Sequence, residues 1–240
     1  MTPWTEPVSI DEPRDRGSKK KLQPGAQRHY VGDSAFERIA RVVCRADCLP
    51  RKELYESWEM AKRVRRKLRG TRVIDLACGH GLLAYTLAVI MPRVTEVLAV
   101  DRRLPPSSQR LKAAMEAEWP ELAERVRFQR ADLRDVPVAA TDIVVCAHGC
   151  GSLTDRVLDL AVAARSPVAV LPCCSDHSRL DGGGLDGWLH ADLAIDVVRA
   201  LRLRDEGYKV WTQHIPAEIT PKNRILLGQP PGPRPDAPGA

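Results

Sequence analysis

Two groups of residues carry types and spacings that could do chemistry. The first is a glycine loop, Val73-Ile74-Asp75-Leu76-Ala77-Cys78-Gly79-His80-Gly81, followed along the chain by two further carboxylates, Asp101 and Asp132. The second is a concentration of cysteine and histidine in Cys146-Ala147-His148-Gly149-Cys150-Gly151 and in Leu171-Pro172-Cys173-Cys174-Ser175-Asp176-His177. Gly79 and Gly81 let the backbone approach a ligand closely. A helix opening after them presents N–H groups that no helical carbonyl satisfies. The run Gly79-x-Gly81-x-x-Ala84 by itself also fits a dinucleotide fingerprint.

Asp75 points away from a dinucleotide, because an anion beside this loop repels a pyrophosphate. A carboxylate there suits a cationic ligand, such as the amino and sulfonium groups of S-adenosyl-L-methionine. Asp101 lies about 20 residues beyond the loop, where an acid can accept both hydroxyls of a ribose. Asp132, in Arg130-Ala131-Asp132-Leu133, would fall beside an adenine. The bland alternative is a glycine turn with three solvated acids.

These side chains converge only if the chain brings successive strand ends to one edge. Residues 72–76, 96–100, 126–129, 142–147 and 167–171 read as short apolar strands. Residues 80–90, 107–118, 154–164 and 189–203 read as helices. Strand–helix alternation predicts a parallel sheet wound on both sides, with ligands bound outside the carboxyl ends of the strands. Residues 208–214 and 224–227 read as two strands with no helix between them. They predict one antiparallel strand at that end, because parallel neighbours need a long connection. Upstream, Ser34 and Glu37 form a capping box before a helix whose apolar face holds Phe36, Ile39, Ala40 and Val43. A second helix follows Pro50 and runs to about Arg69.

The run Asp75–Gly81 resembles motif I of class I S-adenosylmethionine-dependent methyltransferases, and Asp101 and Asp132 match that family's next two cofactor positions. The resemblance covers residues 70–228. It implies an α/β, Rossmann-like, seven-stranded methyltransferase sheet. It also implies S-adenosyl-L-methionine as cofactor, held by Asp75, Ala77, Gly79, Gly81, Asp101, Asp132 and Leu133. His148-x-Cys150-Gly151 with Thr154-Asp155 downstream, then Cys173-Cys174 and His177, resembles a narrower subgroup. That subgroup comprises acceptor-stem tRNA 2'-O-methyltransferases and related methyltransferase-like proteins. The chain lacks the zinc-finger-like N-terminal modules of the tRNA enzymes. It also lacks the Asn/Asp-Pro-Pro-Tyr/Phe motif of enzymes that methylate exocyclic base amines and glutamine amides.

The cysteine–histidine cluster admits three chemistries. His148 can act as a general base, since imidazole titrates near neutrality, or it can simply hold a loop. Cys150, Cys173 or Cys174 can attack a pyrimidine as thiolates, with Pro172-Cys173 resembling that design. Cys150, Cys173, Cys174 and His177 could instead bind zinc, although no Cys-x-x-Cys pair is present and no metal is expected.

Charge is unevenly distributed. The chain carries a net +6, and residues 1–70 hold 17 of its 37 Lys and Arg against 10 of its 31 acids. The cations concentrate late in the second helix. Lys62, Arg63, Arg66 and Lys67 there could track an RNA backbone or form a solvated helix face. Residues 1–30 read as a disordered basic tail, 31–69 as a helical extension, 70–228 as the methyltransferase domain and 229–240 as a disordered Pro-rich tail. An odd count of seven cysteines, no apolar run of membrane length and no signal-like N-terminus place the chain in the cytoplasm, with no membrane partner. The expected activity is methyl transfer to RNA, either tRNA or rRNA. The rival readings are a protein or small-molecule acceptor, or a non-catalytic cofactor-binding protein of the same fold.

Overall fold

The computed structural model describes residues 15–173 and 180–232. Two N-terminal helices, α1 (Ala35–Ala46) and α2 (Arg51–Lys67), lead into β1 (Arg72–Leu76), α3 (Leu82–Ile90) and β2 (Glu96–Asp101). Next come α4 (Ser108–Glu118), α5 (Leu122–Arg125), β3 (Val126–Arg130), β4 (Asp142–Ala147), α6 (Leu153–Ala164) and β5 (Val168–Leu171). The chain closes with α7 (Ala191–Asp205), β6 (Lys209–His214) and β7 (Arg224–Gln229). Among the described residues, no helix is long and apolar enough to cross a membrane.

The strands form a seven-stranded sheet in the order β3-β2-β1-β4-β5-β7-β6. All neighbours are parallel except where β7 runs antiparallel to both β5 and β6. This is the α/β methyltransferase sheet that the resemblance implies. β1 reads as an unbroken buried run because both of its faces are covered. Val73, Val97, Ile143 and Ala169 pack under helices α1 to α5 on one face. Ile74, Leu76, Val144 and Val170 pack with α6, Leu203 and Tyr208 on the other. The crossover therefore changes face between β1 and β4, which opens a crevice at their carboxyl ends.

Local chemistry sets the helix limits. Ser34 Oγ accepts from the Glu37 N–H at 3.3 Å, while the Glu37 carboxylate takes the Ser34 hydroxyl and the Gly32 N–H, both at 2.9 Å. The helix expected from residue 80 begins at Leu82 instead, because Gly81 is left-handed at φ 81°. α5 and the 3₁₀ turns Pro24–His29 and Leu133–Asp135 are too short to leave a periodic signal.

The tail expected over residues 1–30 is corrected from Asp15 onward, and residues 1–14 lie outside the described residues. Leu22 is 1% exposed and Tyr30 3%. The Leu22 N–H donates to Leu49 O at 2.9 Å, and the Lys52 N–H donates to Ser18 O at 3.0 Å. Arg41 donates to the carbonyls of Tyr30 and Gly32, both at 2.6 Å. A Cβ on Gly17 would stand 2.8 Å from the Glu218 carbonyl oxygen, so this segment lies directly on the β6–β7 connection. Two apolar side chains in a polar stretch give no pattern, yet each finds a core position. At the other end Gln229 belongs to β7 and Pro230 is buried, whereas 233–240 lie outside the described residues.

Leu22→Ala tests this packing. Removing a fully buried leucine should cost about 2–5 kcal/mol and lower the urea midpoint of the whole domain. An unchanged midpoint would mean that residues 15–30 come away from the fold without consequence.

Candidate functional site

Three of the five residues from 77 to 81 adopt left-handed backbone: Ala77 (φ 58°), Gly79 (φ 55°) and Gly81 (φ 81°). The conformation costs an L-residue roughly 1–2 kcal/mol, so Ala77 is held there by its surroundings. Gly81 is required sterically, since a Cβ would lie 2.5 Å from the Phe128 ring. Gly79 is different. A Cβ there meets nothing within 4 Å, so the loop opens onto unfilled space.

The acids predicted at the strand ends occupy that edge. Asp75 is 1% exposed and accepts from the Ala84 N–H, in the first turn of α3, at 3.1 Å. Burial pushes its pKa up to about 8; the Ala84 hydrogen bond opposes this and the Asp101 charge adds to it. Asp101 spans the loop: Oδ2 accepts from the Gly79 N–H and Oδ1 from the Arg103 N–H, both at 2.9 Å. A carboxylate has about four lone-pair positions, so acceptor capacity remains. Asp132 caps the turn Leu133–Asp135, and its carboxylate is gripped by Arg134 at 2.9 and 3.1 Å. Hydrogen bonds from the Arg134 side chain and backbone hold it far below the usual carboxylate range. Ala77 and Leu133 pack beside the second core cluster, on the α6–α7 side. His80 Nε2 pairs with Ser107 Oγ at 2.9 Å; burial, with Arg110 and Lys21, lowers its pKa.

Across the switch point, β4 and β5 deliver the other half. The His148 N–H donates to Leu171 O at 3.1 Å, and His148 is left-handed at φ 64°. Its ring Nε2 stands 3.2 Å from Glu56 Oε2, on α2 of the N-terminal extension. Lys52 Nζ meets the other Glu56 oxygen at 2.9 Å. Burial opposes ionisation of Glu56, but His148 and Lys52 outweigh it and hold the carboxyl below its ordinary range. Glu53, one turn earlier, is raised by burial, with the Glu56 charge adding to it.

Thr154 and Asp155, noted in the sequence as part of a motif, hold the loop in place. Thr154 Oγ1 donates to Gly149 O at 2.7 Å. Asp155 receives both arms of the buried Arg199, at 2.9 and 2.7 Å, and Arg199 also reaches Gly151 O. Cys150 Sγ and Cys173 Sγ meet at 3.0 Å. Cys174 and His177 lie outside the described residues. Among the described residues, no group of three His, Cys, Asp or Glu is placed to hold a metal ion. Burial pushes the thiols of Cys78 and Cys146 far up, so both are inert.

Sequence reasoning missed Glu56 and Arg199. Glu56 had a signal: Glu53, Glu56, Met60 and Val64 share one helix stripe, and an acid on an apolar stripe needs a partner. Arg199 had none, since its partner Asp155 is 44 residues away.

The fold is that of the α/β methyltransferases. The family model described as "Methyltransferase domain" matches residues 52–179, and the chain belongs to that family. The match begins inside α2, so the helix carrying Glu56 lies within the family's own span. An O-methyltransferase family protein from Burkholderia thailandensis is similar in structure, with 18% identity, TM-score 0.51 and coverage of 90% of this chain and 65% of that one. The S-adenosylmethionine-dependent methyltransferase SibL is similar at 20% identity, TM-score 0.50 and coverage of 88% and 66%. These likenesses concern the fold. A glutathione S-transferase C-terminal domain-containing protein homolog of Drosophila melanogaster is 23% identical over 94% of this chain and 46% of its own length. Its Drosophila pseudoobscura pseudoobscura counterpart is 26% identical over 67% of this chain and 33% of its length. The chain thus spans less than half the length of the curated relatives it matches.

The raised pKa of Asp75 has a stability consequence. The unfolded carboxyl titrates at about 3.9, so between about pH 4 and pH 8 the native state binds more protons than the unfolded state. The contribution of Asp75 to stability then falls as pH rises through that window and levels off above it. Thermal melts should show Asp75→Asn gaining on wild type across the window. Parallel pH profiles for the two proteins would exclude a protonated Asp75.

Proposed function

We propose that this chain is an S-adenosyl-L-methionine-dependent methyltransferase acting on RNA, with His148 as its general base. The observation that carries the reading is the pairing of two half-sites across one switch point. A left-handed glycine loop ringed by Asp75 and Asp101 faces a histidine fixed by a buried glutamate.

The residues fit the cofactor. Gly79 leaves space where a side chain would intrude, Asp75 stands behind the loop as a potential anion, and Asp101 retains lone pairs for hydroxyls. When bound, S-adenosyl-L-methionine supplies an electrophilic methyl group. Ala77 and Leu133 offer apolar contact, and Asp132, ion-paired to Arg134, fixes the end of β3. His148 Nε2 faces Glu56 Oε2 at 3.2 Å, which leaves Nδ1 on the open side of the ring for the proton of an acceptor hydroxyl or amine. Cys150 and Cys173, close to the same edge, are the competing nucleophiles.

RNA is supported by charge. Lys62, Arg63, Arg66 and Lys67 crowd the last turns of α2 on the same extension that holds His148. They are not equivalent. Lys62 and Arg63 share Glu59, Arg63 also donates to His214 O at 2.7 Å, and Lys67 lies over the Trp211 ring. Arg66 is exposed. Arg63 therefore holds the fold together, while Lys62, Arg66 and Lys67 can meet phosphates.

Calorimetry should show S-adenosyl-L-methionine binding that Asp101→Ala weakens by about 30–150-fold. Affinity should also rise with pH toward about 8, because a cation beside Asp75 displaces its proton. Absence of binding by the wild type, or binding of a dinucleotide in its place, would sink the cofactor reading. For the chemistry, labelled methyl transfer to total RNA from cells lacking the gene is the assay. His148→Ala should lose about 10²–10⁴ in rate, and Glu56→Gln about tenfold or more, both with cofactor affinity kept. Full activity in His148→Ala together with a dead Cys150→Ser or Cys173→Ser would assign a covalent route. Methyl transfer to protein but not to RNA would move the acceptor class.

A further inference from the structure

The cations late in α2 do not form one stripe. Lys62, Arg63 and Arg66 turn toward a cavity of about 400 Å³ between α1, α2 and the turn after β6, with Trp58 and Gln213 on its wall. Arg65 and Arg69 turn the other way, to a separate cavity that they share with Arg93. The first cavity sets three arginines, a lysine and a tryptophan ring around one carboxylate, Glu59. Trp58 is partly buried against Phe36, with ring centroids 5.3 Å apart, and so presents a braced aromatic surface. Glu59 lies between Lys62 and Arg63 and fixes both cations at the wall. Arg16 approaches from the N-terminal segment, held over the Tyr55 ring at 5.4 Å and against Glu218 at 3.4 Å.

Its position matters as much as its chemistry. Tyr55 and Glu59 line this cavity, and between them in sequence sits Glu56, which turns to His148. One helical turn is about 5.4 Å, so the cavity and the histidine face neighbouring stretches of one helix. Glu56 stands about 100° round the helix from Tyr55, so the histidine and the cavity lie on adjacent faces of α2 within one turn along its axis.

We propose that the cavity is a second RNA subsite, which binds one nucleotide flanking the methylated one. The phosphate lies on Lys62 and Arg66, and the base lies against Trp58 within reach of the Gln213 amide. This deepens the RNA reading of the proposed function and rests on it. Ion pairing through positioned cations supplies affinity, and an aromatic wall accepts any base by stacking. The second cavity, cationic but without an aromatic wall, is the internal comparison.

The test uses the full chain and a fluorescent single-stranded RNA of about ten nucleotides, titrated at several salt concentrations. Lys62→Gln/Arg66→Gln should weaken binding about tenfold or more and lower the salt slope by about 0.7 per lost contact. S-adenosyl-L-methionine affinity should stay unchanged. Arg65→Gln/Arg93→Gln removes the same charge from the other cavity and should leave RNA affinity within about twofold. A free nucleoside monophosphate that competes with the RNA in wild type, and no longer in the Lys62/Arg66 variant, supports the subsite directly. Equal losses in both double variants would overturn the subsite, with a general charge effect in its place, and leave the RNA reading intact. A wild type that binds cofactor but no RNA, even at low salt, overturns the RNA reading and the subsite with it.

Discussion

A carboxylate that is 2% exposed cannot stand alone, and the architecture of this protein follows from how Glu56 is paired. One partner, Lys52, comes from its own helix, and the other, His148, from the carboxyl end of β4. Without them the Glu56 carboxylate would be left buried and uncompensated. The helical extension is thereby locked to the sheet at the place where the crevice opens. The same contact orients the imidazole, so docking of the extension and geometry of the site are a single constraint. The segment from Asp15 to Gly32 then wraps the extension, and Arg41 ties down the carbonyls of Tyr30 and Gly32 at its end.

The crevice is built from unfavourable elements. Ala77 and His148 are left-handed without being glycine, and Asp75 is a carboxyl driven out of water. Each costs stability, and each sits at the switch point between β1 and β4. The other two left-handed non-glycine residues among those described, Asp47 and Arg165, end α1 and α6, where that conformation closes a helix; Ala77 and His148 close none, which fits positions that serve binding rather than folding. Asp101 offsets part of the cost by joining the loop backbone at Gly79 to the end of β2.

The basic extension shows how ion pairs divide a run of charge. Glu59 takes Lys62 and Arg63, Trp211 takes Lys67, and Arg69 turns back onto the carbonyls that end α2. A row of cations in the chain becomes two separate cationic cavities and a set of helix-terminal contacts. Only geometry separates a cation that holds a fold from one that can meet a ligand.

The alternation of apolar strands and amphipathic helices, with the closing strand pair, determined the seven-stranded sheet, because period and burial are local properties of the chain. The glycine loop with Asp75, Asp101 and Asp132 was legible for the same reason: each acid lies at or just beyond the carboxyl end of a strand, and parallel strands end at one edge. Other features belonged to the tertiary structure alone. Leu22 and Tyr30 become core residues only when α1 and α2 supply their surroundings. Arg199 finds Asp155 across 44 residues, and Glu56 finds His148 from a different element. Pairing energies of buried charges depend on distance and dielectric, which the order of residues does not contain. The sequence therefore determined which groups lie at the crevice, and the packing decided which of them are held, ionised and aimed.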